Sequence, residues 1–151
     1  MKERMGQRTF GLEEAERLLP HLERWLRKAV ESRRKVCEIE CEYKNLVKSI
    51  FLAGGRWVDV ARFSRRRREK QEWEMRLQRA VRAMEGCGCL VKDLKLGLID
   101  FPSRLGDHEV CLCWRLGEPG IQFWHNTDEG FAGRKPIDEK VIAQLKRSPL
   151  T

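Results

Sequence analysis

The chain has 151 residues, a net charge of +8, 36% charged and 41% hydrophobic residues. That length suits one domain. No apolar run approaches the roughly 20 residues of a membrane span, and the opening MKERMGQRTF lacks the apolar stretch of an export signal. We therefore expect a soluble, cytoplasmic protein with no membrane partner. Its six cysteines are then reduced thiols or metal ligands rather than disulfides.

The first helix is expected from about Leu12. Glu13 and Glu14 lie in its first turn, where negative charge complements the helix dipole. Pro20 lacks an N–H and clashes with the preceding turn, so it should kink or split the helix. Apolar residues then recur every seven. One seam position holds Ala15, Leu22, Ala29, Val36, Tyr43 and Ile50; the other holds Leu18, Trp25, Ser32, Ile39 and Leu46. A heptad sustained this long predicts a coiled-coil-like seam. From His21 to Leu52 it would extend about 48 Å. Ala53-Gly54-Gly55 should end it.

A second helix is expected from about Val58 to Glu85, with Phe63, Trp73, Leu77, Ala80 and Met84 on its seam and Gly86 as its stop. Two long helices joined by a short glycine turn make an antiparallel hairpin. Between Arg62 and Arg82 lie nine basic and three acidic residues. Such a stripe, with Arg65, Arg66, Arg67 and Arg68 at its centre, can attract nucleic acid. It can equally be a solvated face that maintains solubility. No reading module for nucleic acid accompanies it. The distal part of this helix has few apolar residues to bury, so it should fray or need a partner.

The texture changes at Gly86-Cys87-Gly88-Cys89. Cys89 to Lys92 and Gly97 to Phe101 read as short strands, with Pro102 and Gly106-Asp107 marking a turn or loop. Val110, Leu112, Trp114 and Leu116 alternate with Cys111, Cys113 and Arg115, the period of a strand with one buried face. Gly117 to Gly120 forms a tight turn. Ile121 to His125 is the return strand, with Ile121, Phe123 and His125 on one face and Gln122 and Trp124 on the other. Gly130 to Pro136 reads as loop. Asp138 can cap a final helix, through Arg147, with Val141, Ile142 and Leu145 on its apolar face.

The expected fold is α+β in one domain, residues 1–151. A long hairpin (10–86) packs on an antiparallel sheet of three or four strands with its loop (87–136), followed by a short C-terminal helix (137–148). So small a sheet needs the hairpin to bury one face.

Candidate chemistry is sparse. Cys87 and Cys89, and Cys111 and Cys113, form two C-x-C pairs. In a strand each pair points its thiols to one face, and four thiolates would suit tetrahedral zinc. That spacing is weaker than C-x-x-C, so no cofactor is predicted, and zinc at these four positions is kept only as the alternative. Cys37 and Cys41, one helical turn apart, make half a site. Cys113 and His125 lie on neighbouring strands and are candidates for a nucleophile and its base, if they share a face. Lys92, Asp93, Asp100, Arg115, Glu118 and Arg134 suggest cross-strand ion pairs. Arg115, Glu118, Trp124, His125 and Arg134 are equally candidates for a partner-binding face, since Arg and Trp favour interfaces. There is no Walker-type phosphate loop and no helical H-E-x-x-H.

Several motifs occur together. Phe10-Gly11-Leu12-Glu13-Glu14-Ala15 runs into Leu18-Leu19-Pro20; Lys92-Asp93-Leu94 precedes Gly97-Leu98-Ile99-Asp100-Phe101-Pro102. Leu112-Cys113-Trp114-Arg115, Gly117-Glu118, Trp124-His125, Gly130-Phe131 and Gly133-Arg134 follow. In these the chain resembles a bacterial family, domain of unknown function 2203, whose members are sometimes labelled "division initiation protein". The resemblance covers nearly the whole chain. It implies a helical hairpin with a small sheet in a cytoplasmic protein, and it supplies no reaction, substrate or catalytic residue. The leading expectation is a non-enzymatic interaction module with a protein partner, able to form a homodimer through the hairpin. Nucleic-acid binding through Arg65 to Arg68 and a metal- or thiol-dependent enzyme around Cys113 and His125 are the alternatives.

Overall fold

The computed structural model describes residues 8–55 and 57–147. Two long helices, α1 (Leu12–Leu52) and α2 (Val60–Gly86), pack side by side. Strands β1 (Leu90–Asp93), β2 (Leu98–Leu105), β3 (His108–Arg115), β4 (Phe123–Asn126) and β5 (Lys135–Pro136) form one antiparallel sheet in chain order. A 3-10 turn at Phe131–Gly133 precedes β5, and α3 (Glu139–Arg147) packs against β2 and α1. The expected end of the last helix at residue 148 lies outside the described residues. No helix among the described residues is long and apolar enough to cross a membrane.

α1 runs through Pro20 as one helix, so of the two expected outcomes the split does not occur. Proline removes one N–H from the ladder, and burial of Ala15, Leu19, Leu22 and Leu26 on either side of it outweighs that loss. Fully burying a leucine contributes about 1.5–3 kcal/mol. α2 begins where Asp59 accepts the backbone N–H of Arg62 at 3.1 Å, an N-cap that places its start at Val60 rather than Val58.

The two helices run antiparallel. Glu42 accepts from Arg66 Nε at 2.9 Å, and Glu40 lies 3.3 Å from Lys70. The seam is buried only near the sheet. Leu22, Ala29, Ser32, Val36 and Ile39 are covered, and α2 contributes Ala80 and Met84. Beyond Ile39 no apolar residue of α1 is fully buried: Leu46 and Ile50 are half-buried, and Tyr43, against Phe63 of α2, is half exposed.

One sheet face carries Ile99, Phe101, Leu112 and Trp114 into the core shared with α1 and α2. β2 continues through Pro102, where a turn was expected. The Pro102 carbonyl accepts the Phe10 N–H at 2.7 Å. In an antiparallel strand a residue's N and O point to the same side. The Pro102 nitrogen therefore faces the segment at Phe10 rather than β3, and no bond to β3 is lost. The return strand starts at Phe123 rather than Ile121. Part of the expected loop at 130–136 is ordered as the 3-10 turn and β5, so the sheet has five strands rather than three or four.

Candidate functional site

The reverse face of the sheet is built from register. Asp100 pairs with Cys113, Cys111 with His125, and Cys113 with Phe123. Directly opposed residues of an antiparallel pair share a face, so Asp100, Cys111, Cys113, Phe123 and His125 all stand away from the hairpin. His125 on β4 reaches across β3 to Asp100 on β2, with Nε2 3.0 Å from Oδ2. Its Nδ1 lies 2.7 Å from the Asn126 carbonyl oxygen. Both side chains are 3% exposed. Cys113 completes the group: one ligand-type atom from each of the three lies within 4.8 Å of the others.

Cys113 and His125 thus share a face. Burial, followed by the neighbouring Asp100, pushes the Cys113 thiol up to about 12. A thiol in that state stays protonated at neutral pH, whereas a nucleophilic cysteine needs a depressed pKa.

The expected four-cysteine ligand set is not assembled. Cys89 is buried in the core on the hairpin side, donating its thiol to the Met84 carbonyl at 3.1 Å. Cys87 donates to the Ala83 carbonyl at 3.5 Å. Cys111 and Cys113 stand on the other side of the sheet. Among the described residues, the grouping of metal-ligand type is Asp100, Cys113 and His125. Cys37 and Cys41 are exposed on α1.

The expected binding face divides three ways. Arg134 and Glu118 pair at 2.7 Å, largely shielded from solvent. Arg134 also donates to the Cys113 carbonyl at 3.4 Å and stacks 4.0 Å above the Phe123 ring and 4.8 Å from Phe131. Glu118 in turn accepts the Arg115 backbone N–H at 2.8 Å, and the Arg115 guanidinium sits 5.8 Å from Phe131. These three residues therefore fasten the turn after β3 to the segment before β5. Trp124 points to the core side, with Lys135 4.9 Å over its ring. His125 is buried beside Asp100. Asp93 forms no cross-strand pair through the acceptor Oδ1, which takes the backbone N–H groups of Lys95 and Leu96 at 2.8 and 3.0 Å and closes the β1–β2 turn.

The basic stripe is partly spent within the hairpin. Arg66 is held by Glu42 and Glu69, which raise its pKa further, and Lys70 lies against Glu40 and Glu74. Arg65, Arg67 and Arg68 remain on the exposed side of α2.

At the far end of the hairpin lies a group that was not singled out in sequence. Phe51 is 82%, Leu52 72%, Trp57 98% and Val60 72% exposed. Tyr43, Val47 and Phe51, with Lys44 and Lys48, line an open groove along α1 leading to it. Phe51, Leu52, Trp57 and Val60 fall outside both heptad positions of α1, so the periodicity did not point to them.

Comparison with curated proteins and with solved structures gave no match. A family model matches residues 8–137, and the chain belongs to that family, DUF2203, described as an uncharacterized conserved protein.

Proposed function

We propose that the protein is a non-enzymatic interaction module whose docking surface is the distal end of the hairpin, and that a second copy of this chain covers it. The observation that carries this reading is the clustering of Phe51, Leu52, Trp57 and Val60, all mostly exposed, at one end of an otherwise charged hairpin. Large apolar side chains exposed together in one stretch of chain are the kind of surface that marks an interaction site. α2 covers this end only in part: Phe63 lies against Tyr43 at 5.2 Å between ring centroids, and the run Arg65 to Lys70 that follows it adds charge rather than apolar surface. The α1 heptad continues beyond its buried part through Tyr43, Leu46 and Ile50. A second α1 presenting the same stripe supplies the apolar positions that α2 lacks.

Light scattering of the full chain tests this. At micromolar concentration it should give twice the 17.8 kDa chain mass. A variant with Phe51→Ser and Trp57→Ser should give one chain mass while keeping its helical circular dichroism. A monomeric wild-type chain overturns the reading, as does a dimer unaffected by the two substitutions.

A further inference from the structure

We propose that Asp100, Cys113 and His125 form a binding site for one divalent transition-metal ion of the zinc type. The argument begins with the imidazole. A carbonyl oxygen only accepts, so in the 2.7 Å contact with Asn126 the hydrogen is on Nδ1. Nε2 then directs its lone pair at Asp100 Oδ2, itself an acceptor, 3.0 Å away. Two acceptors held that close, both buried, require a cation between them. It is either a shared proton or a metal ion. A backbone carbonyl on the remote ring nitrogen is also the contact that orients a metal-binding histidine.

The third ligand comes from the strand between. Cys113 lies on β3, directly opposite Asp100 on β2 and diagonal to His125 on β4, whose own partner is Cys111, so the frame is three hydrogen-bonded strands. The three ligand atoms lie within 4.8 Å. Zinc bonds of about 2.0–2.3 Å in tetrahedral geometry place such atoms roughly 3.3–3.6 Å apart. Closure therefore needs about 1 Å of side-chain movement and no change of strand register. One sulfur, one imidazole nitrogen and one carboxylate oxygen suit zinc better than magnesium or calcium, which prefer oxygen alone. Three protein ligands leave a fourth position for water or a small ligand.

The charges balance. Without metal the group holds the proton shared by Nε2 and Oδ2 and the thiol proton of Cys113. A divalent ion replaces both and releases two protons to solvent, so the net charge of the buried cluster is unchanged. The thiol that burial keeps protonated becomes a thiolate when metal coordinates it. Arg134, whose guanidinium reaches the Cys113 carbonyl at 3.4 Å, is already paired with Glu118.

The experiment uses the full chain carrying Cys37→Ser and Cys41→Ser, which removes the exposed pair on α1. Zinc is added in equimolar amount and X-ray absorption is recorded at the zinc edge. The expected result is one zinc per chain with a single sulfur neighbour and nitrogen or oxygen in the remaining positions. Adding Cys113→Ser or His125→Gln should weaken zinc uptake at least tenfold with circular dichroism unchanged. No stoichiometric uptake overturns the proposal, and so does a shell of two or more sulfurs. Uptake unchanged in both variants also overturns it. The absorption measurement keeps the test decisive if either substitution prevents folding.

Discussion

His125 on β4 and Asp100 on β2 meet across the intervening strand β3, 3.0 Å apart and both 3% exposed. Neither strand neighbours the other, so this contact reports the register of three strands at once. Removing one partner of a buried ionic or strongly hydrogen-bonded pair costs about 3–5 kcal/mol. Asp100→Ala should therefore lower the urea midpoint by an amount matching that range. A loss under 1 kcal/mol would show that the pair is not buried as described.

The two buried thiols give a pH prediction. Burial is the leading cause that raises both Cys89 and Cys113 to about 12. An unfolded thiol titrates near 8.5. Between those values the unfolded chain binds fewer protons than the folded one, so stability falls as pH rises. Each thiol contributes a slope of up to about 1.4 kcal/mol per pH unit. Denaturation midpoints from pH 8 to pH 10.5 should decline, and less steeply when both positions are alanine. Equal slopes in the two proteins would remove these thiols as the cause.

Gly97 adopts φ +73°, and a Cβ placed there would lie 2.8 Å from Leu116 Cβ. Its carbonyl also accepts the Leu116 N–H at 2.8 Å, so the two turns at this end of β2 and β3 are pinned together. Gly97→Ala faces both the backbone penalty and the clash. We expect a loss of about 1–3 kcal/mol, read as a lower melting temperature. Gly106→Ala has a comparable backbone strain, at φ +64°, but meets nothing within 4 Å, and should cost less.

Arg134 is 10% and Glu118 19% exposed as side chains, and their pairing joins the turn after β3 to the segment leading into β5. Arg134→Ala leaves the Glu118 carboxylate without its cation and removes the guanidinium that covers the Phe123 ring. The stability loss should reach about 2–4 kcal/mol, with faster proteolytic cleavage between residues 127 and 136. By contrast, Glu42→Gln breaks an exposed pair and should cost less than 1 kcal/mol.

Buried positions on α1 end at Ile39, and none on α2 precedes Ala80. Amide exchange should consequently be slow in residues 15–39 and 76–86 and faster in 43–52 and 60–72 at low protein concentration. Raising concentration should slow exchange at the hairpin end if a second copy covers it.

The amino-acid sequence by itself determined what depends on near neighbours. The α1 heptad, the stop at Gly54-Gly55, the Gly86 stop and the alternation of Val110, Leu112 and Trp114 are short-range patterns, and periodicity reports them directly. The two helices, the antiparallel sheet and the family motifs were legible for that reason, and so was the split of Cys113 and Trp114 onto opposite faces. The tertiary structure decided what depends on distant residues. Pro102 lies within a strand because Phe10 supplies the N–H on its outer side. Glu16 reaches the Ile121 N–H at 3.3 Å from 105 residues away. Asp100, suggested in sequence only as a surface ion-pair partner, lies beside His125 because the register across β3 places it there. A one-residue slip would turn every one of those side chains to the other face. That register is set by turns and by packing on the hairpin, forces that no local window of sequence contains.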